Sequence, residues 1–269
     1  MSSVELERAC AQVLALLEQR HGVGLRGTHM PAWFTARLGR ALEALQLEDG
    51  IDLAGVVRRL HEDAPRLSEL ADVLRVGETC FYRDPEQWAA LRTRWLPGVA
   101  AQSLRAVSVG CSTGEEAWTL AMLLDDACAK TGRTYRVVGM DRSAPALESA
   151  EEAAYPSSVV RALPAEWVQR YLSASGDTVH VSRALRSNVR FLRRDLMTGL
   201  PPGEFELVIC KNLLIYFGDE AGTRALELLF RALSPGGVLV VARSEVTRVR
   251  RLGYAARQLA PGISVFSRG

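Results

Sequence analysis

The sequence predicts an α/β protein, with a helical domain of about 75 residues ahead of an open, doubly wound sheet domain. Three observations predict it. Apolar residues recur at spacings of three and four through the first 75 residues, which is the helical period. Short, continuous apolar runs begin only after residue 104, and most are separated by stretches long enough for a helix. Apolar residues make up 48% of the 269, enough for one sizeable core and too many for a disordered chain.

Leu6, Cys10, Val13, Leu14 and Leu17 share one helical face. Pro31 suits the first turn of a second helix that buries Phe34, Leu38, Leu42 and Leu45. Asp52 suits the N-cap of a third, with Val56, Val57 and Leu60 inward; Pro65 suits the start of a fourth, carrying Leu67, Leu70 and Leu74. Asp84 and Pro85 read as N-cap and first-turn residue of an entry helix with Trp88, Leu91 and Trp95. Strands are predicted at 106–109, 137–140, 189–192, 207–210 and 238–242, with helices at 114–129, 144–153, 164–172 and 219–233. Apolar strands alternating with helices form a parallel sheet covered on both faces. Pro235-Gly236-Gly237 predicts a turn into the following strand, and a last strand at 263–266 closes the edge. Residues 173–177, then Val179, Val181 and Leu185 alternating with polar residues, interrupt this order. A small inserted hairpin at about 172–188 and a long surface loop stay equally open on pattern alone. The expected domains are 1–75, a linker and entry helix at 76–96, and 97–269.

Lys130 and Lys211 are the two lysines among 33 basic residues, which face 31 acidic ones for a net charge of +2. That balance excludes binding to nucleic acid by charge alone. No stretch approaches about 18 uninterrupted apolar residues, and Met1 opens a polar stretch unlike a signal peptide. A cytoplasmic protein without membrane insertion is expected. Cys10, Cys80, Cys111, Cys128 and Cys210 lack C-x-x-C spacing, and His21, His29, His61 and His180 contain no H-x-x-x-H pair. Neither a disulfide framework nor a metal site is expected.

The chemistry concentrates at the predicted strand ends. In Val109-Gly110-Cys111-Ser112-Thr113-Gly114-Glu115-Glu116 a strand runs through small residues straight into a helix, so a ligand can approach the backbone. Two carboxylates at the helix start compete with a pyrophosphate but suit a cationic ligand without phosphate, such as S-adenosylmethionine. A plain tight turn with two acids that favour the helix dipole is the other reading. Asp141, after the second strand, stands where an acid accepts ribose hydroxyls. Asp195, followed by Leu196, ends the third, where a carboxylate can accept from an adenine amine or cap a turn. Lys211-Asn212 breaks an apolar run at the end of the fourth, with Tyr216 beyond it. The linker Gly77-Glu78-Thr79-Cys80-Phe81-Tyr82-Arg83 is more elaborate than a tether needs.

These segments resemble the chemotaxis receptor glutamate methyltransferases, the CheR family. Glu78-Thr79-x-Phe81-Tyr82-Arg83 resembles its N-E-T-x-F-F-R, and residues 111–116 reproduce its C-S-T-G-E-E. Residues 207–217 resemble D-L-I-F-C-R-N-V-L-I-Y-F; residues 233–237 and Ser244-Glu245 resemble L-x-P-G-G and H-S-E. Gly77 stands for the family's Asn, Glu206 for Asp, Lys211 for Arg and Arg243 for His. The resemblance implies a Rossmann-like S-adenosylmethionine-dependent methyltransferase domain, preceded by a small all-helical domain and carrying a small inserted β-subdomain. It implies cofactor contacts from Gly77, Thr79, Arg83, Gly110, Ser112, Gly114, Glu116, Asp141, Asp195, Leu196, Lys211 and Asn212, with Arg83 and Tyr216 bordering the transferring methyl. The implied reaction converts S-adenosylmethionine and a receptor glutamate into a glutamate methyl ester and S-adenosylhomocysteine. The implied partner is the cytoplasmic helical bundle of chemoreceptors, met through Arg37 and Arg40 or through the segment from residue 242, which holds six arginines. Residues 172–178 are short for members that use the β-subdomain to grip a receptor's carboxy-terminal peptide. Two other readings stay open: a catalytically weak relative that binds cofactor or product as an interaction module, and a methyltransferase for a small molecule or RNA. The lack of a basic stripe interleaved with aromatics counts against RNA.

Overall fold

The computed structural model describes residues 3–21, 32–74 and 79–268. Pro31, Gly77 and the Phe34 side chain lie outside the described residues. The chain divides into two compact units, Met1–Gly77 with Leu214–Thr223, and Glu78–Leu213 with Arg224–Gly269.

The first unit holds α1 (Ser3–His21), α2 (Ala32–Asp49), α3 (Leu53–Glu62) and α4 (Ala64–Leu74). The helical period is realised: Cys10, Val13, Leu17, Leu38, Leu42, Val56, Leu60, Leu67, Leu70 and Leu74 are buried, while Leu45 and Val57 are half-buried. Asp52 caps α3 by accepting from the Gly55 N–H at 2.7 Å. Asp63 does the same for α4 from the Arg66 N–H at 2.9 Å. The Asp49 carboxylate, nearly buried at the end of α2, accepts from Arg59 and Arg66 at 2.8 Å each and so ties α2 to α3 and α4. Residues 214–223 contain a single 3-10 turn, Leu214–Tyr216, and the start of a helix at Asp219.

The second unit begins with α5 (Pro85–Ala90), continued by a π-helical turn at Leu91–Trp95; together they bury Trp88, Leu91 and Trp95. There follow β1 (Ser103–Val109), α6 (Glu115–Ala129), β2 (Thr134–Asp141), α7 (Ala144–Glu152), β3 (Ala154–Pro156), α8 (Ala165–Tyr171), β4 (Leu172–Ser175), β5 (Thr178–Val181), α9 (Arg183–Arg186), β6 (Val189–Arg193) and β7 (Phe205–Cys210). The chain ends with α10 (Asp219–Arg231), β8 (Leu233–Val241), α11 (Val246–Arg251), β9 (Ala255–Ala260) and β10 (Ile263–Ser267). Seven strands form one sheet in the order β6-β2-β1-β7-β8-β10-β9. The first five are parallel, and β10 runs antiparallel to β8 and β9. The order reverses between β1 and β7, and ligands of open α/β sheets bind at the strands' carboxyl ends beside such a reversal.

Several expectations are corrected. The last strand, β10, is internal, and the edge belongs to β9, whose largely exposed Ala-Ala-Arg-Gln pattern carries no apolar signal. Pro235-Gly236-Gly237 is not a turn between strands. It is a bulged stretch inside β8, where Gly236 has φ +78° and a side chain at Gly237 would meet the Phe205 carbonyl at 2.7 Å. The interruption near residue 175 is a hairpin and not a loop: β4 and β5 pair around Gly176. Its unforeseen third strand, β3, completes a small antiparallel sheet, β3-β5-β4.

Candidate functional site

The carboxyl ends of β1, β2, β6 and β7 carry the residues singled out from sequence. After β1 the chain turns through Gly110 (φ +74°), Ser112 (φ +50°) and Gly114 (φ +96°) into α6. A Cβ at Gly114 would sit 2.7 Å from the Ala150 Cβ and 3.0 Å from the Tyr155 hydroxyl, so the turn is glycine by necessity. The Asp141 carboxylate receives the Ser112 N–H at 2.9 Å on one oxygen and the Ser143 N–H at 3.0 Å on the other. Each oxygen keeps a lone pair for a further donor. The Arg194 N–H donates to the Asp141 carbonyl at 2.8 Å, which brings the β6 end beside the β2 end. Asp195 caps the turn Leu196–Thr198 by accepting from the Met197 N–H, and Leu196 beside it is buried.

The linker reaches the same ends. The Phe81 N–H donates to the Val159 carbonyl, the Tyr82 N–H donates to the Thr119 hydroxyl at 3.0 Å, and the Thr79 hydroxyl hydrogen-bonds Glu115. Asp84 stands at the N-cap position of α5 but does not cap it. With φ +60° its carboxylate instead pairs with the Lys211 ammonium at 2.9 Å. Lys211 also donates to the Arg83 carbonyl at 3.0 Å and lies 3.9 Å from Glu116. The Gln87 side chain donates to the Val241 carbonyl, and Arg243 pairs with Glu86, so two substitutions against the family pattern, Lys211 and Arg243, both grip the entry helix. Among the described residues, the non-glycine residues with positive φ are Tyr82, Asp84, Ser112, Asn212 and Ala153; the first four all belong to this cluster. Such backbone strain costs about 1–3 kcal/mol per residue and persists where neighbours over-determine it, which is typical of binding sites.

Burial pushes the Glu116 carboxyl above the ordinary 4.5; Lys211, the Ser108 hydroxyl at 2.8 Å and Arg83 pull it back, and Asp84 adds to the rise. Burial likewise raises Glu115, against hydrogen bonds from Thr113 and Thr79. A carboxyl with a raised value keeps a proton in the folded chain that the unfolded chain releases, so stability falls as pH rises from about 4.5 through the folded value. Glu116→Gln is therefore expected to match or exceed the wild-type Tm at about pH 8, with the gap narrowing toward pH 4.5. Scanning calorimetry across that range checks it, and a Tm deficit that does not change with pH overturns it. Burial, then Asp141 and Glu116, hold the Cys111 thiol well above its usual value, so it is no thiolate nucleophile.

The structure thus brings together Thr79, Arg83, Gly110, Ser112, Gly114, Glu116, Asp141, Lys211 and Asn212, with Asp195 and Leu196 on the adjoining strand end. Gly77 lies outside the described residues. Tyr216, buried on its 3-10 turn, belongs to the first unit. Sequence reasoning missed three supporting residues. The Tyr155 hydroxyl donates to the Thr113 carbonyl at 2.7 Å, its ring meeting Phe81 edge-on at 5.0 Å. Ser108 holds Glu116. Buried Glu245 accepts the N–H groups of Ala242 at 2.9 Å and Asn212 at 3.1 Å. Only Glu245 had a signal, the Ser-Glu pair after β8.

The donor set fits S-adenosylmethionine: carboxylates at three successive strand ends, small residues where the backbone must be approached, and no phosphate-binding cation on the α6 turn. Residues 77–255 match the family described as CheR methyltransferase, SAM binding domain. The chain is 31% identical over 262 residues to chemotaxis protein methyltransferase 1 of Pseudomonas aeruginosa, covering 92% of this chain and 93% of that protein. It is 31% identical over 191 residues to a chemotaxis protein methyltransferase of Listeria monocytogenes, covering 70% and 72%. Against an uncharacterized 104.1 kDa protein of Rhodobacter capsulatus it is 31% identical over 224 residues; the match takes in 81% of this chain but spans only 23% of that protein. This chain therefore belongs to the CheR family of S-adenosylmethionine-dependent methyltransferases, and residues 77–255 are its cofactor-binding domain.

Proposed function

We propose that this chain methylates glutamate side chains on the cytoplasmic bundle of chemoreceptors, forming methyl esters. One observation supports it most: Arg83 is borne on a linker pinned at its own carbonyl, beside Glu116 and Lys211. His180, the second unit's histidine, is exposed on β5, and the Lys211 ammonium is already engaged. A substrate that arrives as an anion needs no base. A glutamate, with pKa about 4.3, is such a substrate at neutral pH.

Bound cofactor supplies an electrophilic methyl group on a sulfonium. The chain's residues then hold and align. Asp141 accepts ribose hydroxyls, Asp195 accepts from the adenine amine, and Glu115 and Glu116 favour a cationic ligand. Arg83 orients the incoming carboxylate. Arg37 is half-buried and Arg40 exposed on α2; they are the proposed receptor contact. No helix among the described residues is long and apolar enough to cross a membrane, which accords with action on the receptor's cytoplasmic part.

The test is transfer of tritiated methyl from S-adenosylmethionine to receptor-containing membranes. Label released by base as methanol is expected. Base-stable label, or label on small molecules or RNA, overturns the glutamate assignment. Calorimetric binding of S-adenosylhomocysteine without any transfer points to the interaction-module reading instead.

A further inference from the structure

Lys211 has a side chain only 1% exposed, yet its ammonium is surrounded by groups from three separate elements. It donates to the Arg83 carbonyl at 3.0 Å and to the Asp84 carboxylate at 2.9 Å, and it faces Glu116 at 3.9 Å. It also lies 5.4 Å over the Trp88 ring, whose Nε1–H donates to the same Arg83 carbonyl at 2.8 Å. Two of the ammonium's three donors meet the Arg83 and Asp84 oxygens at hydrogen-bond distance, while Glu116 at 3.9 Å is an ion-pair contact. They diverge from a point, which suits a compact ammonium; a planar guanidinium favours a bidentate carboxylate. Asp84, at φ +60° and making no side-chain cap to α5, spends its carboxylate on this pairing.

We propose that Lys211 is a positioning residue, which fixes the backbone at Arg83 and Asp84 against the end of β7 so that the Arg83 guanidinium is held for methyl transfer. The proposal rests on the reading of Arg83 given above. It assigns to Lys211 a task other than direct contact with cofactor, since its side chain is only 1% exposed and two of its donors already hold the Arg83 carbonyl and Asp84.

Three variants test it in the full chain: Lys211→Met, which keeps length and removes charge; Lys211→Arg; and Lys211→Met combined with Asp84→Asn, which removes both charges of the Lys211–Asp84 pair. Lys211→Met is expected to lower kcat at least about 20-fold while the Kd for S-adenosylhomocysteine changes less than about threefold, and to raise hydrogen–deuterium exchange in residues 79–88. Lys211→Arg is expected to give a kcat between those of Lys211→Met and wild type, because the cation is restored while its planar donors fit the diverging acceptors less well. The double variant is expected to lose no more kcat than Lys211→Met, since both substitutions remove one interaction. If Lys211→Met does not fold, the double variant carries the same comparison. A kcat within twofold of wild type overturns the proposal. So does a loss of S-adenosylhomocysteine affinity parallel to the loss of kcat, which makes Lys211 a direct cofactor contact. If the wild-type chain methylates no receptor glutamate, the functional reading fails on its own; exchange in residues 79–88 still decides, rising if Lys211 pins the linker and unchanged if it does not.

Discussion

Arg83→Ala is expected to reduce methyl transfer at least about 100-fold, with S-adenosylhomocysteine affinity changed less than about fivefold. The separation follows from how the residue is held. Both donors to residue 83, Lys211 and the Trp88 indole, reach its carbonyl and not its side chain. Alanine keeps them, so the linker path and the buried Lys211 survive. Only the exposed guanidinium is removed, which is the group proposed to orient the substrate carboxylate. A misplacement of about 1 Å in such alignment costs about two orders of magnitude in rate. Single-turnover transfer from S-adenosylmethionine beside calorimetry with S-adenosylhomocysteine measures the two effects. Turnover at the wild-type level would remove Arg83 from the mechanism.

Glu245→Ala is expected to produce the largest loss of stability, about 3 kcal/mol, which lowers Tm by about 6–12 °C in a domain of this size. One buried carboxylate oxygen serves the backbone at the ends of two neighbouring strands, Ala242 after β8 and Asn212 after β7. Alanine leaves both N–H groups without this acceptor, at about 1–3 kcal/mol each. Asn212, at φ +58°, then lacks the bond that holds its left-handed conformation, so cofactor affinity should fall as well, by about tenfold. Glu245→Gln keeps an amide oxygen in place and should lose about half as much stability. Thermal melts of the three proteins check the order, and an alanine variant within 2 °C of wild type would refute it. The Ser-Glu pair after β8 is thus a clamp for the strand ends.

Much of the candidate site was legible because its residues occupy sequence-local positions with strong periodic surroundings. Gly110, Ser112, Gly114 and Glu116 follow an apolar strand directly, and Asp141, Asp195 and Lys211-Asn212 each end a run of the same kind. Strand ends can be found from the period of burial, and open parallel sheets gather those ends on one side. The partners of these residues were not legible. Tyr155 lies 42 positions from Thr113, Glu245 lies 33 from Asn212, and Lys211 lies 128 from Arg83. No local pattern encodes such pairings.

The same division holds for the fold. The amino-acid sequence alone determined the longer helices and the central buried strands, because a 3.6-residue period or a continuous apolar run is a property of neighbours in the chain. It also determined the family, through the segments at 78–83, 111–116 and 207–217. Tertiary structure decided what those signals leave open. It made β9 the edge strand, turned Pro235-Gly236-Gly237 into a bulge and added β3 to the small sheet. It also took the Asp84 carboxylate from α5 and gave it to Lys211. The physical reason is the same in each case: a carboxylate, a strand edge or an ammonium takes the partner that burial provides, and burial brings together residues that the chain keeps far apart.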